Sequence, residues 1–150
     1  MQAKNTNLLI SGAVAFRDHG GKRKWLVIKV ADKNEWEIPK ITVRRGESSV
    51  RASLRMTGEM AGMNARVLEE AGRTSGGAVV NGKSVPVKYY YYLMMQKSAG
   101  EMVGFAQYQW LEYDKASRKL GLKREKDMLK GAKDTLKEWE KARKKKSLPL

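Results

Sequence analysis

The chain is 150 residues long, one domain's worth and enough for a single core. It has no cysteine, which excludes disulfides, zinc-thiolate sites and thiol nucleophiles, and its lone histidine, His19, lies in a polar turn as a solvated residue. Lys and Arg number 31 against 16 Asp and Glu, a formal net charge of +15, and this excess points to a polyanionic partner, RNA or DNA before an acidic membrane.

Residues 7–14 alternate as a first strand, the polar run Asp18-His19-Gly20-Gly21 turns the chain, and residues 24–30 form a second strand pairing with the first. Residues 31–36 are a polar connection leading to Trp36-Glu37-Ile38-Pro39-Lys40 and a basic loop with Arg44 and Arg45. From Ser48 to Ala61 no proline interrupts about four helical turns. Ser48 or Ser49 can cap the start, Gly62 can take the left-handed turn at the end, and Val50, Leu54, Thr57 and Ala61 are expected to line the buried face. A short strand over 65–70 and a loop over 71–77 follow.

Asn81-Gly82 is the strongest hairpin signal in the chain, because both residues accept the positive φ of a type I′ turn. The strand after it places Val85, Val87, Tyr89, Tyr91, Leu93 and Met95 on one face and Lys88, Tyr90, Tyr92 and Met94 on the other. Two apolar faces predict a central strand, with Tyr90 a candidate stacking surface for a nucleobase. A turn is expected at 98–100, a strand over 102–110, a short helix over 114–119 and a long one over 123–144. In the long helix Met128, Leu129, Ala132, Leu136 and Trp139 make the docking stripe. The domain is expected to span 1–140, with 141–150 a basic tail. No apolar run approaches the ~20 residues of a membrane span and no basic-then-apolar leader opens the chain, so the expectation is a cytoplasmic protein without a membrane partner. The residues leave the oligomeric state open.

The stretch from Trp36 to Met63 resembles the Nudix box, whose pattern is G-x5-E-x7-R-E-U-x-E-E-x-G-U with U a bulky apolar residue. Glu47 falls at the first acid, Arg55 at the arginine, Glu59 at the first of the paired acids, and Gly62 with Met63 at the closing pair. Trp36, Pro39 and Lys40 are similar to the W-x-x-P-K-G entry of the diadenosine-polyphosphate branch. The resemblance implies an α/β (α+β) fold, an α/β/α sandwich with a mixed central sheet, a box helix and a C-terminal helix. It also implies magnesium-dependent hydrolysis of a pyrophosphate link, with Glu59, Glu47 and Arg55 as the catalytic set and Glu59 and Glu47 as metal ligands.

The sequence departs from the pattern where the metal is held. Ile41 replaces the opening glycine, Arg44 stands where a glutamate is usual, and Met56 and Met60 replace two of the three helix glutamates. Acids one turn apart converge on a hard cation that wants oxygen; thioethers are soft ligands and a poor match to magnesium. Gln107 occupies the position of a further acid three residues before Trp110, leaving Glu101 as its nearest substitute. The leading expectation is therefore a degenerate Nudix-fold protein that needs no cofactor and binds RNA or nucleotide phosphates through Trp36, Lys40, Arg44, Arg45, Arg51 and Tyr90. The alternatives are an active magnesium-dependent pyrophosphohydrolase of dinucleotide polyphosphates or nucleoside diphosphate derivatives, and a basic structural subunit of a ribonucleoprotein.

Overall fold

The computed structural model describes residues 8–30, 34–100 and 102–147. The order is β1 (Leu8–His19), β2 (Lys22–Lys29), β3 (Trp36–Glu37), β4 (Lys40–Thr42), α1 (Ser49–Glu59), β5 (Met63–Val80), β6 (Lys83–Ala99), β7 (Gln107–Leu111), α2 (Tyr113–Lys119) and α3 (Lys123–Ser147). Among these residues one seven-stranded sheet runs β3-β2-β1-β6-β5, with β4 paired to β1 and β7 to β2. β1 and β6 are parallel and the other pairs antiparallel, so the sheet is mixed as expected.

Period-2 alternation divides the core into two layers. On one face Val14, Phe16, Val27, Tyr91 and Leu93 pack against Ala116 and Leu120 of the α2 segment and Leu129, Ala132 and Leu136 of α3. On the other, Ala13, Ala15, Leu26, Ile28 and Met94 pack against Met56 of α1. Helices thus cover both faces, which is the α/β/α sandwich. The tyrosine strand β6 is central, between β1 and β5, and Asn81 (φ 53) and Gly82 (φ 77) make the expected turn.

Several expected boundaries move. β1 continues to His19 and pairs with β2 up to the glycine turn. Residues 71–77, read as a loop from their glycines and serine, belong to β5, and 72–77 pair with Pro86 to Tyr91 of β6. β6 extends through 98 and 99, where a turn was expected, and β7 starts at Gln107 rather than 102. α3 continues to Ser147, across the tail boundary expected after residue 140. Of the polar connection, 31–33 lie outside the described residues, as does Glu101.

Candidate functional site

Helix α1 starts where the Ser48 side chain accepts the Arg51 N–H at 3.2 Å, an N-cap bond that pairs one orphan donor of the first turn. It ends with Met60 N–H on the Met56 carbonyl, and Gly62 (φ 59) takes the left-handed position. Thr57 and Ala61 are buried as expected, but the face is shifted: Ala52, Ser53 and Met56 are buried with them, whereas Leu54 is 39% exposed. Ser53 and Ser49 are tolerated inward because each is hydrogen-bonded. Ser53 Oγ donates to the Gly12 carbonyl at 3.2 Å, and the Ser49 hydroxyl meets that of Tyr92. Met56 is completely buried, inside the core layer rather than facing solvent.

Glu47 and Arg55 form the ordered centre of the loop. Arg55 Nε donates to Oε2 at 2.9 Å and its Nη2 to Oε1 at 3.0 Å, a two-point pair. The same guanidinium reaches the Thr42 carbonyl at 3.3 Å, and the Arg44 N–H donates to Glu47 Oε1 at 3.0 Å. The Arg55 hydrogen bonds, then the Arg44 amide, hold the Glu47 carboxyl down at about 2, so it is ionised at neutral pH. Glu59 is exposed and adds to the positive environment's balance by raising the Arg55 pKa through charge alone, after the larger effect of Glu47.

This donor set does not fit a hard divalent cation. Met56 is sealed in the core, Met60 offers sulfur, Glu47 has both oxygens engaged by N–H donors, and Glu59 stands as one exposed carboxylate. Among the described residues no three His, Asp or Glu side chains are grouped to hold a metal. The segment after β6 is strapped along the end of α1: Gly104 N–H donates to the Met60 carbonyl at 2.8 Å, and Gly100 N–H to that of Gly62.

The other expected site residues separate into distinct surroundings. Arg44, Arg45 and Arg51 are exposed around the entry to α1 and form a basic rim there. Lys40 is not an open phosphate partner. Its ammonium is bound to Glu125 Oε2 at 2.7 Å and Glu37 Oε1 at 3.1 Å, with 13% of the side chain exposed. Trp36 packs half-buried on the α2/α3 core layer, with the Lys119 ammonium 4.9 Å from its ring centre. It also lines a cleft with Asn34, Glu35, Glu37 and Leu122. Tyr90 lies under the Arg73 guanidinium at 4.4 Å. Gln107 is exposed in β7 opposite Lys29, and His19 is exposed at the end of β1.

Glu125 is the residue that sequence reasoning missed. It is fully buried, accepting the Ile38 N–H at 2.8 Å on one oxygen, and Lys40 and the Tyr91 hydroxyl, at 2.9 Å, on the other. Burial, then the neighbouring Glu125 charge, pushes the Tyr91 hydroxyl well above the ordinary tyrosine range. A signal existed: Glu125 is four, seven and eleven residues before Leu129, Ala132 and Leu136, on the same inward stripe.

No family model and no curated protein matches the sequence. Solved structures do resemble it. An Ap4A hydrolase from C. elegans in a binary complex superposes with a TM-score of 0.67 at 20% identity, over 86% of this chain and 97% of that one. A NUDIX hydrolase from Nitrosomonas europaea gives 0.69 at 14% identity, over 86% and 90%. The NUDIX domain of Shewanella oneidensis NrtR, complexed with ADP ribose, gives 0.68 at 15% identity, over 91% and 90%. Identities this low carry the architecture alone, and that architecture is the Nudix fold.

Proposed function

We propose that this Nudix-fold chain binds nucleotide or RNA phosphates through the basic rim of Arg44, Arg45 and Arg51, with pyrophosphate hydrolysis lost or much weakened. The observation that carries the reading is the state of Glu47. An acid saturated by Arg55 and by the Arg44 amide anchors a loop, and a loop anchored in this way presents its exposed arginines as a fixed receptor for phosphate oxygens. Guanidinium groups neutralise phosphate charge without a metal, so the receptor works in the absence of magnesium. The net charge of +15 favours the encounter with any polyanion.

The test is titration with ADP, ADP-ribose and diadenosine tetraphosphate in EDTA and in magnesium, by calorimetry, alongside a turnover assay. Binding that survives EDTA and falls at least tenfold in R44Q/R45Q/R51Q supports the reading. Magnesium-dependent turnover abolished by Glu59→Gln would defeat it. That outcome would favour the second reading, an active pyrophosphohydrolase, which the fold shared with the two hydrolases above and the exposed Glu59 carboxylate support.

A further inference from the structure

The long helix α3 carries charge in a pattern unrelated to the box. Lys126, Lys130, Lys133, Lys137, Lys141 and Lys144 follow one another at steps of three or four residues. At 3.6 residues per turn they fall within an arc of about 80° and form a row about 27 Å long, with one ammonium every ~5 Å. Asp127, Asp134 and Glu138 fall together on the adjoining strip; of these Glu138 reaches into the row, its carboxylate 3.6 Å from the Lys141 ammonium in an exposed pair that water and a phosphate can replace. Glu140, at the opposite border, is turned into the Arg23 guanidinium at 2.8 and 3.3 Å. The N-terminal part of the row is fixed to the domain: Leu129, Ala132 and Leu136 dock the helix on the sheet, and Lys126 Nζ donates to the Ser117 carbonyl at 2.9 Å.

We propose that this lysine row is a docking surface for the phosphate backbone of a nucleic-acid double helix, on the face of the sheet opposite α1 and separate from the box arginines. A helical row about 27 Å long matches most of one duplex turn, roughly 34 Å. Single-strand binders interleave cations with aromatic stacking surfaces, and this row has none: Tyr113 lies under Lys133, with the ammonium 4.1 Å from the ring, and Trp139 packs against the core. A bilayer is a poorer partner, because the apolar stripe an interfacial helix would insert is already docked on the sheet. The contact reads charge and shape, so it is indifferent to base sequence. The inference shares the chain's basicity with the function proposed above, but not its site.

The experiment measures binding of a mixed-sequence 20-base-pair duplex, as RNA and as DNA, by fluorescence anisotropy across a salt series. Wild type is compared with K130Q/K137Q/K141Q and R44Q/R45Q/R51Q, each checked for an unchanged unfolding midpoint. Each lost phosphate contact lowers the steepness of log K against log salt by about 0.9 for a DNA duplex, so the lysine variant loses about 2 to 3 in slope and about tenfold or more in affinity. The lysine substitutions lower the slope by the same 2 to 3 in the R44Q/R45Q/R51Q background, so the share of the row is read independently of the box arginines. A lysine variant with wild-type slope overturns the proposal, as does a wild type for which poly-glutamate competes as well as the duplex. A wild type that ignores ADP yet holds the duplex through these lysines supports the row and sinks the box-side reading.

Discussion

Lys40 and Glu125, 85 residues apart in sequence, meet in a 2.7 Å ion pair beneath the loop that enters α1. The carboxylate is completely buried and also takes the Ile38 amide and the Tyr91 hydroxyl, so one side chain of α3 ties together the loop, the central strand and the terminal helix. Removing one partner leaves buried groups without compensation, which costs about 3–5 kcal/mol. Glu125→Ala is expected to lower unfolding stability by that amount in urea titrations. Glu125→Gln, which keeps an acceptor for Ile38 N–H, is expected to lose less. A Glu125→Ala variant within 1 kcal/mol of wild type would show that the network is incidental.

Acid acts on a different carboxylate. Glu47 sits at about 2 in the folded chain against 4.5 for a free side chain, owing first to Arg55 and then to the Arg44 amide. A depressed folded value means that the contribution is complete above the ordinary carboxyl range and disappears as pH falls from about 4.5 toward 2. Thermal midpoints at pH 5 and pH 3 should therefore drop further for wild type than for Glu47→Gln, which has no proton to take up. Equal drops in the two proteins would sink the assignment.

Gly12 allows β1 to pass directly beside the Tyr91 ring. A Cβ there would meet ring carbons at 2.6 and 2.8 Å, and Tyr91 cannot swing away because its hydroxyl is held by Glu125. Gly12→Ala is expected to cost about 1–3 kcal/mol as overpacking, read from denaturant unfolding. A neutral result would mean that the ring has room to move.

The sheet was legible in the sequence wherever two faces alternate, as from Val85 to Met95, and at Asn81-Gly82, where turn chemistry leaves few options. The positions of Glu47 and Arg55 were legible too, because the box spacing sets a loop acid eight residues before a helix arginine; that the two saturate each other is visible only in the fold. Other features depend on partners distant in sequence. The glycines of 71–77 looked like a loop because their β propensity is low, yet pairing with β6, Gly72 opposite Tyr91 and Gly76 and Gly77 opposite Val87 and Pro86, overrides it. Leu54 was placed inward by apolar character, while the sheet surface instead selects Ser53 and Met56, whose inward position depends on Gly12 and the second core layer. Lys40 looked like a free cation because its acid partners, Glu37 and Glu125, are assembled by the fold from separate elements.

Met56 sits with no exposure among Ala13, Ala15, Leu26 and Met94, so the two box methionines have different consequences when replaced. Met56→Glu puts a carboxylate into an apolar layer without a counter-charge and is expected to cost about 3–5 kcal/mol in EDTA. Met60 is partly buried at the end of α1, and Met60→Glu is expected to cost under about 1 kcal/mol. Combining both with Arg44→Glu adds carboxylates within one helical turn of Glu59 and removes the Arg44 positive charge from the loop. Magnesium at a hundredfold excess over Kd should then return about 2.7 kcal/mol of stability to the triple variant and none to wild type. Unfolding curves with and without magnesium decide between these outcomes. Equal stabilisation of wild type would mean that Glu47 and Glu59 hold the ion without help, and that the oxygens bound by Arg55 can be released to it.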